Sequence, residues 1–225
     1  MTASETDRDV ERAPPRVHLI TDDSILERDD FPAVAHAALA VGGSDVALHV
    51  RGPGTDGRTL YRRTLDLRGA SRDAGALLVV NDRVDVALAA GADAVQLAGR
   101  SLHPDDLPVE AGSLAVGVSV HGPAEASTVG TVDWLLAGTI YPTPSHPGRP
   151  GAGPRLLGAV AAVTAVPAIA IGGVTPERVA EVMRAGAWGV AVMRGVWDAA
   201  DPIEALHRYL EVAAPDPTSD STPTP

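Results

Sequence analysis

Short apolar runs alternate along the chain with longer segments whose apolar residues recur at helical spacing. The runs are VHLIT (17–21), DVALHV (45–50), ALLVV (76–80), DAVQL (93–97), LAVGVSV (114–120), DWLLAGTI (133–140), PAIAI (167–171) and GVAVM (189–193). Runs apolar at nearly every position suit strands covered on both faces, which points to a parallel sheet. Between them lie helix-like stretches: FPAVAHAALAVG (31–42), TLYRRTLDLRGASRDAG, DRVDVALAAG, a short segment around PAEAST, GPRLLGAVAAV, PERVAEVMRAG and the closing DPIEALHRYLEVA. Pro176 falls in the first turn of its helix, where a missing N–H costs little. Eight strand–helix units in 225 residues predict an α/β fold, a single (β/α)8 TIM barrel. An open doubly wound sheet is the alternative, weakened in its dinucleotide-binding form because no GxGxxG follows the first strand.

The pattern sets the domain expectation: an N-terminal extension over 1–13, a barrel domain over 14–212 and a tail over 213–225. Both ends are polar, the tail rich in Pro, Ser and Thr, and both are expected to be disordered. The N-terminus lacks the basic start and apolar run of a signal peptide, and no apolar run is long enough to span a bilayer. A cytoplasmic protein is expected.

Composition narrows the chemistry. The net charge of −11 argues against general binding to nucleic acid or an anionic membrane, so an anionic ligand would need local donors. No cysteine is present, which excludes disulfides and thiolate metal sites. The 18 basic residues are all Arg, so no lysine can form a Schiff base. Aromatic residues make up 3%, leaving a core of Val, Ala, Leu and Ile.

In a barrel, functional groups gather at the carboxyl ends of the strands. Asp22, Arg51, Asn81, Asp82, His121, Thr143, Gly172, Gly173 and Arg194 all fall there. The strongest local pattern is AIAIGGVTPERV, a buried strand ending in Gly172-Gly173 just before a helix. Glycines let backbone N–H groups approach an anion, and a helix start adds positive potential. The next strand ends VAVMRG and offers the N–H groups of Met193 and Arg194. Together the two loops suit a phosphate; a plain tight turn is the bland reading.

The segments ITDDS, NDRVDVALAAGADAVQL, GVSVHGPAEA, YPTPS, AIAIGGVTPERV and AGAWGVAVMRGVW, in this order, resemble the thiamin phosphate synthase/TenI family of barrels across roughly residues 16–210. The resemblance implies one of two activities. The synthase joins a pyrimidine pyrophosphate to a thiazole phosphate with magnesium. The TenI-type tautomerase aromatises a thiazole carboxylate phosphate by proton transfer, without metal.

Departures from the synthase pattern favour the second. After strand two Arg51 is kept, but Gly52 stands for an acid and Pro53 for a lysine. Asp82 matches one metal-binding aspartate, while Ser101 replaces the other. Thr143 and Ser145 can match the loop after strand six, where His146 replaces a lysine. Each change removes a metal ligand or a cation for pyrophosphate. SVHGPAEA matches the tautomerase segment that carries the acid/base histidine, which maps onto His121. The resemblance therefore implies an isomerase with catalytic His121 and no metal or cofactor. Its phosphorylated thiazole would be held by Arg51, Asn81, Thr143, Gly172, Gly173, Met193 and Arg194. Histidine's intrinsic pKa suits such proton transfer. A synthase with a degenerate metal site and a non-catalytic binder of a thiamin precursor are the alternatives. Self-association is left open.

Single residues have competing readings. His121 could merely cap its strand, and His146 is its rival as acid/base. His18 and His49, inside apolar strands, read as satisfied core histidines. His36, His103 and His207 read as surface residues. Asp82 could cap a helix. Arg100 could bind an anion or be a solvated loop charge.

Overall fold

Every apolar run becomes a strand, and all eight are parallel. They are β1 (Val17–Ile20), β2 (Val46–Val50), β3 (Leu77–Asn81), β4 (Ala94–Leu97), β5 (Ala115–Val120), β6 (Trp134–Gly138), β7 (Ala168–Ile171) and β8 (Gly189–Val192). They pair in chain order, and β8 returns to β1 with Val190 opposite Val17 and Val192 opposite Leu19. The closed TIM barrel is therefore the fold, and the open sheet is excluded. The structure is a computed structural model that describes residues 13–99, 101–143, 148 and 150–214. Arg100, Ser145, His146 and nearly all of both terminal extensions lie outside the described residues.

Helices α1 (Asp23–Leu26), α2 (Phe31–Gly42), α3 (Gly57–Ala74), α4 (Val84–Ala90), α5 (Pro123–Ala126), α6 (Arg155–Ala161), α7 (Pro176–Arg184), α8 (Arg194–Trp197) and α9 (Pro202–Ala213) cover the barrel. Their ends follow local chemistry. The Asp56 carboxylate accepts the Thr59 N–H at 3.0 Å to start α3, and Gly75 stops it at φ 71°. Asp201 accepts the N–H groups of Ile203 and Glu204 to start α9. Two features depart from the sequence reading. The β4–β5 connection holds two 3-10 turns, Pro104–Asp106 and Val109–Ser113, where prolines and glycine interrupt any longer helix. The single turns α1 and α8 follow β1 and β8 directly and were too short to show periodicity. Among the described residues no helix is long and apolar enough to cross a membrane.

Strand alternation sorts the buried side chains into two sets. Val17, Leu19, Leu48, Val80, Leu135 and Val190 point outward and pack under the helices. Ile20, Ala47, Val79, Ala94, Trp134, Leu136, Ile169 and Ala191 fill the lumen. Polar groups share that lumen. His18, His49 and Gln96 are fully buried. The Trp134 indole N–H donates to Gln96 Oε1 at 2.8 Å, and Gln96 Nε2 lies 3.2 Å from Ser119 Oγ. Gly117 makes room for the indole: a Cβ there would strike both the Trp134 ring and Gln96 Oε1. His18 Nδ1 lies 2.9 Å from His49 Nε2, and the two rings are tilted 45° to each other.

Burial pushes the His18 pKa well below 6.5, with His49 adding to the depression, and burial takes His49 down to about 4. Both rings are neutral in the folded protein near pH 7, whereas the unfolded chain protonates them near pH 6.5. Between those values the unfolded state binds more protons, so stability falls as pH falls from about 6.5 towards 4. The slope is about 1.4 kcal/mol per pH unit for each ring. Urea unfolding across this range should show that slope, and His49→Gln should reduce it by about half between pH 5 and 6.5, above the main carboxylate titrations.

Candidate active site

The expected residues do collect at one end of the barrel, because each lies at or after the carboxyl end of a strand. Thr21 ties the first two together: its hydroxyl donates to the carbonyls of His49 (3.0 Å) and Arg51 (2.8 Å). Among the described residues the Arg51 guanidinium has no ion-pair partner, which leaves it available to an anion.

On the β3–β4 side, Asn81 is half-buried, with Oδ1 placed 3.1 Å from His49 Nδ1. Asp82 next to it has φ 62°, a left-handed conformation uncommon outside glycine. It is held there by its own N–H, which donates to Gln96 O at 2.9 Å, and by its carboxylate. Asp82 Oδ1 accepts from the Ala98 N–H at 3.0 Å and from the Ser101 hydroxyl. Asp82 therefore does not cap α4; the residue at that helix start is Arg83. The aspartate instead faces Ser101, the residue that the resemblance sets against a second acid.

The fit of this pair to magnesium follows from its donors. Among the described residues no three His, Asp or Glu side chains converge to hold a metal. One carboxylate, with a neutral hydroxyl beside it, cannot form a self-sufficient cage. Magnesium is nonetheless commonly held by one or two carboxylates with substrate phosphates and water completing the shell. The pair fits an ion that arrives with a diphosphate.

On the β6–β8 side, Gly172 and Gly173 have φ of 98° and 63°. A Cβ on Gly173 would lie 2.7 Å from the Pro142 carbonyl, so the glycine lets the β6 loop, and Thr143 with it, close onto the β7 loop. Arg178 locks that loop by donating to Gly173 O at 2.8 Å while stacking 4.3 Å from the Tyr141 ring centroid. The Tyr141 hydroxyl donates to Glu181 at 2.6 Å, and burial together with that carboxylate pushes its pKa up to about 12. Among the described residues the N–H groups of Gly173, Met193 and Arg194 meet no acceptor. The Arg194 side chain is otherwise engaged: Nη2 lies 2.5 Å from Asp22 Oδ2 and 3.2 Å from Ser24 Oγ. Arg194 can therefore offer its backbone N–H rather than a free guanidinium.

His121 follows β5, as expected, but its side chain is 62% exposed. Its Nδ1 lies 3.1 Å from Glu125 Oε2, which also accepts the His121 N–H at 2.8 Å. These bonds, the backbone one foremost, hold the Glu125 carboxyl below its usual range. Glu125 thus occupies His121 Nδ1, and Nε2 has no partner among the described residues. Sequence reasoning missed Glu125, although its i+4 spacing from His121 was visible. It also missed the His18–His49 contact and the Tyr141–Glu181 bond, which join residues too far apart in sequence for any spacing to reveal.

The family model described as thiamine monophosphate synthase (TMP-TENI) matches residues 17–196. A thiamine-phosphate synthase of Mycolicibacterium smegmatis is 39% identical over 198 residues, covering 80% of this chain and 84% of that one. A thiamine-phosphate synthase of Chloroflexus aurantiacus is 37% identical, covering 87% and 90%. The solved thiamine phosphate pyrophosphorylase of Pyrococcus furiosus superposes with a TM-score of 0.71 at 30% identity, covering 88% of this chain and 95% of that one. The chain belongs to the thiamine monophosphate synthase/TenI family. The expected isomerase activity is overturned: these relatives are named as synthases, which are transferases. The substitutions around Asp82 were read as removing the synthase site, yet Asp82 and Ser101 still meet across the β3–β4 rim.

Gly173→Val should test the β7 loop. A branched side chain at positive φ, pressed against the Pro142 carbonyl, should cost on the order of 1–3 kcal/mol in urea unfolding. Calorimetric titration should show phosphate affinity at least about tenfold weaker, with the helical circular dichroism retained.

Proposed function

We propose that the protein is a thiamine-phosphate synthase, joining a pyrimidine diphosphate to a thiazole phosphate with loss of diphosphate. One observation carries the reading. Two polar clusters sit on opposite sides of one barrel mouth, since β3 and β7 are four strands apart in the closed order, and in this reading each handles one anion. A condensation of two phosphorylated substrates needs two such ends, whereas a single phosphorylated ring needs one. The family membership and the identities of 37–39% support the same choice.

In this reading the thiazole phosphate is bound by the N–H groups of Gly173, Met193 and Arg194, with Gly172 setting the turn and Thr143 alongside. The pyrimidine diphosphate lies towards Arg51, Asn81 and Asp82, its diphosphate nearest Arg51 and Asp82. The ring nitrogen of the thiazole forms a C–N bond to the pyrimidine methylene as the bond from that carbon to the diphosphate oxygen breaks. No proton moves in this step, so the chain's task is to orient two rings and receive a polyanion. Asp82 and Ser101 would hold magnesium, which would supply positive charge to the leaving group. His121 stands at the rim of the mouth, with Nδ1 held by Glu125, and the step asks no proton of it.

The test is incubation of the purified protein with both substrates, with and without magnesium. Thiamin phosphate and diphosphate should appear together and disappear on chelation. Binding of both substrates without product would overturn the reading in favour of a non-catalytic binder. Ser101→Asp should lower the magnesium concentration for half-maximal rate by about tenfold, because it supplies a second carboxylate. An unchanged magnesium dependence would place the metal away from this pair.

A further inference from the structure

A chain of polar contacts runs up the lumen from its closed end to the mouth. Pro15 O lies 3.1 Å from His18 Nε2, His18 Nδ1 lies 2.9 Å from His49 Nε2, and His49 Nδ1 lies 3.1 Å from the Asn81 amide. Both rings are fully buried, and Asn81 sits where the lumen opens.

Each of the three gaps needs one proton. Two neutral imidazoles supply one each, and a carbonyl oxygen supplies none. The Pro15 carbonyl can only accept, so His18 carries its proton on Nε2. Its Nδ1 must then accept, which puts the His49 proton on Nε2 and leaves His49 Nδ1 as a bare acceptor. The third proton can come only from the Asn81 NH2 group. With Oδ1 against the ring instead, the chain would close only if one imidazole carried a second proton.

The surroundings oppose that extra charge. Among the described residues no carboxylate bonds either ring. The charged group acting on His49 is Arg51, which disfavours a second cation, and the Trp134 ring packs edge-on 5.5 Å from His18.

We propose that His18 and His49 are positioning residues that order this proton chain so that Asn81 turns its NH2 inward and its carbonyl oxygen to the mouth. Asn81 is then an acceptor, and it selects an N–H donor on the pyrimidine ring rather than a phosphate oxygen. The choice of ring rests on the synthase reading; the proton order does not.

The experiment is a long-range proton–nitrogen spectrum of the histidine side chains in the full-length labelled protein at pH 7, assigned with His18→Gln and His49→Gln. Both rings should be neutral, protonated at Nε2 and bare at Nδ1. A His49 protonated on Nδ1, or either ring cationic, overturns the proposal. In the synthase assay, His49→Gln should raise KM for the pyrimidine diphosphate about tenfold and leave KM for the thiazole phosphate within about twofold. An equal rise in both overturns the positioning role and indicates general loosening. The spectrum needs no substrate, so the expected tautomers in a protein without synthase activity would overturn the function and leave the chain standing.

Discussion

Closing eight short strands into a ring creates an interior that the helices cannot reach and solvent does not enter. Whatever points inward must fill it and satisfy itself there. In this chain the filling is polar as well as apolar: two histidines, a glutamine and a tryptophan share the space with small aliphatic side chains. Burying such groups is tolerable only because each finds a partner inside the ring. The strands are thereby committed to one register, since a one-residue slip would send His18 and His49 outward under the helices.

The same commitment reaches the mouth. Strand alternation puts Asn81 directly above His49, and the left-handed turn at Asp82 then aims the next side chain sideways at Ser101. Across the ring, glycines allow the β6 and β7 loops to touch. The two sides differ in kind. One offers a carboxylate, a hydroxyl and a free guanidinium; the other offers mostly backbone N–H groups. That asymmetry suits two different phosphorylated partners better than one repeated group.

The fold was legible because continuous apolar runs report directly on strands covered from both sides. Gly172-Gly173 was legible for a related reason, since positive φ restricts the residue that can stand there. What could not be read was the direction of side chains. Arg194 fell at the right strand end, but the sequence could not show that Asp22, 172 positions away, occupies its guanidinium. The family pattern around Asp82 read as a sum of losses. Serine against aspartate is a small change when the two positions face each other across a loop, and only the fold brings them together. His121 shows the same limit: its place just after β5 was legible, whereas its exposure and its bond to Glu125 were not.

The seam between the first and last strands carries more than the ladder. The Trp197 indole N–H donates to Ile20 O at 2.9 Å, Arg28 donates to Trp197 O at 2.6 Å, and Arg194 clasps Asp22. These bonds join the earliest and latest parts of the barrel to leave the ribosome. During synthesis β1 therefore has no partner on one edge until almost the whole chain has been made. Its apolar side chains, and the polar His18 with them, must wait through the longest loop closure in the molecule. The nascent barrel is an open sheet with a sticky first edge, which makes the slow, late step of folding also its point of exposure to aggregation and to chaperones.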